Sequence, residues 1–195
     1  MRNENHMKKI PTLLVRDPDN RAHVLDQVTP GCEWVLAGEG IVTRKYDGTC
    51  TMLDESGKWW ARREVKPGKT APDNYVLEDH DPVTGKSQGW EPIEQSPFFK
   101  FFEGAAVVGS FNPGTYELCG PKINGNPERL DDYRLYEHAQ AETIDPDSND
   151  QLIEYMELMV VAAGRLGWEG IVWHHPDGRM AKLKVRDLNM TTRNN

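Results

Sequence analysis

Four short segments of this 195-residue chain hold side chains able to do chemistry: Lys45-Tyr46-Asp47-Gly48, Tyr116-Glu117-Leu118, Glu169-Gly170-Ile171-Val172 and Lys182-Leu183-Lys184. A lysine is a nucleophile only when neutral, and its free pKa is ~10.4. Nearby positive charge or desolvation must lower that value before it reacts. Residues i and i+2 of a strand point to the same face, so Lys182 and Lys184 can both reach one phosphate. Taken singly, each segment reads equally well as a strand end with a turn; it is the four together that point to chemistry on phosphate.

The charge pattern agrees. The formal net charge is −8, which argues against a protein that coats nucleic acid non-specifically. Yet residues 58–69 carry five basic residues and one acid, and residues 179–186 carry four basic residues and no acid. Nine of the 23 lysines and arginines therefore sit in two short windows, a focusing that favours local binding of phosphate groups. The alternative is two solvated strand faces. Cys32, Cys50 and Cys119 are odd in number, far apart and without a CxxC spacing. They read as reduced thiols, which argues against a disulfide framework or a structural zinc site. The chain has neither a long apolar run nor a secretory leader pattern at Met1–Val15, so the expectation is a cytoplasmic protein.

The elements that must position these residues are mostly strands. Residues 34–37 and 39–44 look strand-like and lead into a second strand carrying Tyr46, Thr49, Thr51 and Leu53; a turn at Glu55–Lys58 then joins it to the Trp59-Trp60-Ala61-Arg62 strand. Residues 66–97, rich in Pro, Gly, Asp and Lys, predict a long loop with one short strand at Tyr75–Leu77. Residues 98–111 supply apolar strand material, and Thr115–Gly120 another strand. A helix is predicted over 149–166, with a Ser148/Gln151 capping box, a stripe of Leu152, Tyr155, Met156, Met159 and Val160, and a stop at Gly164 and Gly167. Two strands joined by Pro176-Asp177-Gly178 close the chain. That order predicts an α+β fold with mostly antiparallel sheet.

With these segments in order, the sequence resembles the covalent nucleotidyltransferase superfamily of polynucleotide ligases and mRNA capping enzymes. The hallmarks are a lysine in KxDG, a downstream Glu, an EG-I/V strand and a KxK strand, and here they span residues 45–184. It is more closely similar to the small ATP-dependent 5′-to-3′ RNA ligases known in vertebrates. The shared segments are Lys45-Tyr-Asp-Gly-Thr-Cys50, Trp60-Ala-Arg62, Ile123-Asn-Gly-Asn-Pro127 and Glu169-Gly-Ile-Val-Trp-His174. DNA ligases and capping enzymes usually carry arginine where Cys50 stands, and they append an OB-fold domain after KxK, whereas eleven residues follow Lys184 here. The resemblance thus implies a single nucleotidyltransferase (adenylation) domain over residues 1–195, without an appended OB-fold domain.

It also implies an activity: ATP-dependent joining of RNA 5′-phosphate and 3′-hydroxyl ends through a lysyl-AMP and an AMP-capped RNA. Lys45 would be the nucleophile, with Lys182 and Lys184 neutralising charge on the α-phosphate. Glu169 would hold Mg²⁺ (or Mn²⁺), directly or through water. Glu117 would accept hydrogen bonds from the ribose hydroxyls. Asp47 would lie beside the lysine and metal, or merely shape the turn before Gly48, where glycine permits close backbone approach. Arg62 would meet a phosphate of the nucleotide or the RNA. Tyr136, His138 and Phe101 are each candidates to stack on adenine. Asn124 and Asn126 form a hairpin turn with Gly125 or contact RNA. Of the adjacent His174 and His175, at most one faces the site. Trp59 and Trp60 could stack on bases, with one of them packing inward. Two other readings stay open: a capping-type guanylyltransferase, and a module that binds nucleotide or RNA ends without turnover.

Overall fold

The structure, a computed structural model, describes residues 8–107, 109–144 and 153–188. Its elements in chain order are β1 (Leu14–Arg16), β2 (Val24–Val28), α1 (Glu33–Leu36), β3 (Ile41–Lys45), β4 (Thr49–Leu53), β5 (Trp59–Val65), β6 (Val76–Asp81), β7 (Lys86–Pro92), α2 (Phe99–Ala106), β8 (Gly114–Cys119), β9 (Arg134–Glu137), β10 (Thr143–Ile144), α3 (Ile153–Arg165), β11 (Gly170–His174) and β12 (Met180–Lys184). All strand ladders are antiparallel, so the fold is α+β, dominated by antiparallel sheet with few helices. No helix among the described residues is long and apolar enough to cross a membrane.

The chain divides into two compact units, one built on Asp47–Gln140 and the other on Ile10–Tyr46 with the chain from Ala141 onward. The second unit contains the β1–β2 ribbon and a four-stranded sheet of order β10-β3-β11-β12. Period-2 alternation sorts its side chains. Val42, Ile171, Trp173, Ala181 and Leu183 turn to one face and pack with Met156, Val160 and Ala163 of α3 in a single core. A backbone bridge from Pro11–Leu13 covers the outer edge of β12 at Lys182.

The other unit is a six-stranded sheet of order β6-β7-β5-β4-β8-β9. One face carries Ala61 and Leu118 into a core with Ile93, Phe102, Ala105 and Ile123. The opposite face carries Arg62, Trp90, Cys50, Glu117 and Tyr136, because residues paired across antiparallel ladders share a face (Cys50 with Glu117, Glu117 with Tyr136, Arg62 with Trp90).

Several local expectations are corrected. Residues 34–37 are not a strand: α1 covers Glu33–Leu36 and buries Trp34 and Val35. The apolar run beginning at Phe98 forms helix α2, not a strand, with Phe102 and Ala105 buried three residues apart on one helical stripe. Phenylalanine content suggested strand, whereas the spacing of the buried positions is helical. Within 66–97, the short strand expected at Tyr75–Leu77 is the start of a longer one, β6, and a second strand, β7, occupies part of the predicted loop. β6 lies at the sheet edge, where backbone ladder bonds hold a strand without alternation, whereas β7 is interior and buries Gly89, Trp90, Glu91 and Pro92 in succession. The predicted last helix exists as α3 and ends in a Schellman arrangement. There Trp168 N donates to Ala163 O and Gly167 N to Gly164 O, with Gly167 left-handed at φ 81°. The Ser148/Gln151 capping box lies outside the described residues.

Candidate functional site

Lys45 ends β3, Gly170 begins β11 and Lys184 ends β12, and the ladders align all three: Gly170 is opposite Lys45 on one side and Lys184 on the other. The KxK strand therefore does not pair with β3; β11 lies between them. Lys182 is opposite Val172, so it shares the face of Lys184 and Lys45, away from the α3 core. A Cβ on Gly170 would overlap the Leu183 carbonyl oxygen, which explains the glycine in Glu169-Gly170. With no side chain there, the two flanking lysines converge on Glu169. Lys45 Nζ lies 2.6 Å from Glu169 Oε2, and Lys184 Nζ bonds the other oxygen, Oε1. Arg186, largely exposed, stands 3.9 Å from the same carboxylate.

Three of these groups are mostly withdrawn from water: the side chains of Lys45, Lys184 and Glu169 are 17%, 14% and 8% exposed. Burial pushes the Glu169 carboxyl up, but Lys45 and Lys184 outweigh it and hold the group below its ordinary range. Lys182 has no carboxylate within ion-pair distance among the described residues. Burial first, then repulsion from Lys45 and Lys184, lowers its pKa to about 8 against the opposing pull of Glu169 and Asp187. Asp187, buried and bonded to Arg16 at 2.7 Å, fixes the end of β12 by accepting from Lys184 N at 3.1 Å.

A separate set of polar groups surrounds the Asp47–Gly48 turn within the other unit. Asp47 N donates to Glu128 Oε1 (2.9 Å) and Gly48 N to Glu117 Oε1 (3.0 Å). Asn124 Nδ2 donates to both Asp47 Oδ1 (2.9 Å) and Gly48 O (2.8 Å). The Asn124-Gly125-Asn126 segment is more than a hairpin turn. Its three residues are consecutively left-handed, at φ 48°, 79° and 61°, with Ile123 buried as anchor and the Asn126 amide bonding both N and O of Leu130. A side chain on Gly48 would overlap the Leu118 carbonyl oxygen, so this close approach requires glycine.

The remaining sequence candidates sort clearly. Arg62 lies on the Glu117 face, its guanidinium 5.2 Å from the Trp90 ring centre. Phe101 stacks on Tyr133 with ring centres 4.8 Å apart and packs against the α2 core, on the side of the sheet away from Glu117. Tyr136 is directly opposite Glu117 in the ladder. Both His138 ring nitrogens meet β8 side chains, Nδ1 at Thr115 Oγ1 (3.0 Å) and Nε2 at Glu117 Oε2 (3.1 Å), so its polar edge is committed to the protein. His174 turns to the lysine face and meets Thr43 Oγ1 at 2.9 Å, while His175 sits between Glu39 and Asp177. Trp59 packs inward against Phe102, Phe111 and Tyr116, and Trp60 turns out beneath Lys58, whose ammonium is 4.0 Å from its ring centre.

Sequence reasoning did not single out Glu128 or Asp187, and it left the part played by Asn124 open. The available signal was weak, since isolated carboxylates in a turn-rich stretch read as solvated. No family model and no curated protein matches the chain.

Proposed function

We propose that the protein is an ATP-dependent RNA ligase that works through a covalent Lys45–AMP. The observation that carries this reading is that Lys45 and Lys184 share the Glu169 carboxylate while Lys182 stands beside them on the same face. The arrangement suits attack on a phosphorus centre. An amine is held among two further cations in a site of low exposure, where charge developing on phosphate oxygens is stabilised more strongly than in water.

In the first transfer, Lys45 Nζ bonds to the α-phosphorus, the bond to pyrophosphate breaks, and the amine gives up its proton. The resting Lys45–Glu169 ion pair must open for this step, and the proton released from the amine passes to solvent. Lys182 and Lys184 then meet the α-phosphate oxygens. AMP next passes to a 5′-phosphate on RNA, and a 3′-hydroxyl displaces it. Arg62 supplies a guanidinium fork for a phosphate, and Glu117 supplies acceptors for the ribose hydroxyls. Glu169, its side chain 8% exposed, would hold Mg²⁺ as one ligand of an ion otherwise held by phosphates and water. Bound with the nucleotide, the ion would neutralise phosphate charge.

Intact mass after incubation with ATP and Mg²⁺ tests the proposal. The expected result is a mass gain of one AMP that survives denaturation and vanishes in Lys45→Ala and Lys45→Arg. A GMP adduct formed from GTP would establish the capping-type reading instead. Binding of RNA ends with no adduct from either nucleotide would establish the non-catalytic one.

A further inference from the structure

The Glu117 carboxylate is gripped from two directions. Gly48 N–H donates to Oε1 at 3.0 Å, and His138 Nε2 lies 3.1 Å from Oε2. The other ring nitrogen of His138 lies 3.0 Å from Thr115 Oγ1. The strand register explains how one ring serves both partners. The last pair of the β8–β9 ladder is Tyr116 with Glu137, so His138, the next residue, falls level with Thr115. Thr115 and Glu117 are two apart on β8 and share a face, and the imidazole lies along that face between them. The Glu117 carboxylate accepts only, so it selects the tautomer with the proton on Nε2, and the Thr115 hydroxyl donates to Nδ1 and steadies the ring in that state.

A carboxylate offers about four lone-pair sites. One on each oxygen is used by the protein, which leaves one on each oxygen without a protein partner among the described residues. We propose that His138 is a positioning residue for Glu117: it holds the carboxylate so that its open lone pairs receive the ribose hydroxyls of the bound nucleotide. This rests on the nucleotide-binding reading above and adds to it the residue on which recognition of the sugar depends.

Calorimetric titration of the full chain with AMP, 2′-deoxy-AMP and 3′-deoxy-AMP separates the two, since AMP lacks a leaving group and no transfer occurs. His138→Ala should weaken AMP binding about tenfold, the loss of one hydrogen bond to a charged group. For at least one deoxynucleotide the same substitution should change affinity less than about twofold, because the contact it supports is already gone. His138→Gln, which keeps a donor toward Glu117, should recover most of the AMP affinity. In adenylation kinetics, KM for ATP should rise while kcat holds. Equal losses for all three nucleotides, or no loss for AMP, would overturn the role of His138 while leaving nucleotide binding intact. Failure of the wild-type chain to bind AMP would overturn both. Should His138→Ala not fold, Thr115→Val leaves the ring in place and frees Nδ1. It should show the same sugar-selective loss, about threefold for AMP, and a non-selective or absent loss there counts equally against the proposal.

Discussion

On the four-stranded sheet, the face turned away from α3 carries three ammonium groups around one carboxylate. On the six-stranded sheet, the face turned away from α2 includes Glu117, bonded by a backbone amide and an imidazole, while Asn124 and Glu128 hold the Asp47–Gly48 turn. Both sheets use the same device, an apolar face packed on a helix and an opposite face that carries polar groups. The polar faces solve different problems. Ammonium groups withdrawn from water tolerate burial only by sharing Glu169 or by surrendering a proton, as the lowered pKa of Lys182 shows. The turn is held by hydrogen bonds between carboxylates or amide side chains and the backbone, which fix its geometry.

The largest effect expected from this contrast is at Glu169. Glu169→Gln leaves Lys45 and Lys184 without their shared counter-charge and should cost about 3 kcal/mol in urea unfolding, the scale of breaking a buried ion pair. A cost below about 1 kcal/mol would mean that the ammonium groups are solvated and the contrast is false. Gly170→Ala comes next. Its Cβ would overlap the backbone of β12, with Lys184 Cα at 2.7 Å, and should cost about 2 kcal/mol through strand displacement, together with loss of any AMP adduct.

Lys182 sharpens the comparison through pH. It titrates at about 8 in the fold against 10.5 in the reference state, so between those values the unfolded chain holds the extra proton. Stability should therefore rise with pH across that window, as the cost of burying a charge disappears, while below pH 8 the full cost remains. Relative to Lys182→Met, the wild type should gain up to about 3 kcal/mol between pH 8 and 10.5. Parallel pH–stability curves for the two proteins would refute this.

The smallest effect belongs to the hydrogen-bonded turn. Asn124→Ala should cost about 1 kcal/mol, since its bonds are solvent-exposed. It should nonetheless raise hydrogen exchange at the Asp47 and Gly48 amides, and unchanged exchange there would show that Asn124 does not hold the turn.

The chain's own residue types and order were enough for the α+β class, strands β3, β4, β5, β8, β11 and β12, and a last helix ending at a glycine. Period-2 and 3.6-residue patterns report directly which side of an element meets apolar neighbours, and turn residues mark where elements stop. The same patterns put Lys182 and Lys184 on one face. They showed only the start of β6, at Tyr75–Leu77, and did not reveal β7 or helix α2, where aromatic content masked the spacing. Only tertiary structure decided that β11 lies between Lys45 and the KxK strand, that Glu169 is shared by Lys45 and Lys184, and that Asn124, Glu128 and His138 close on Asp47, Gly48 and Glu117. Those contacts join residues far apart in the chain, and a side chain's identity states what it can bond but not which partner folding will bring within reach.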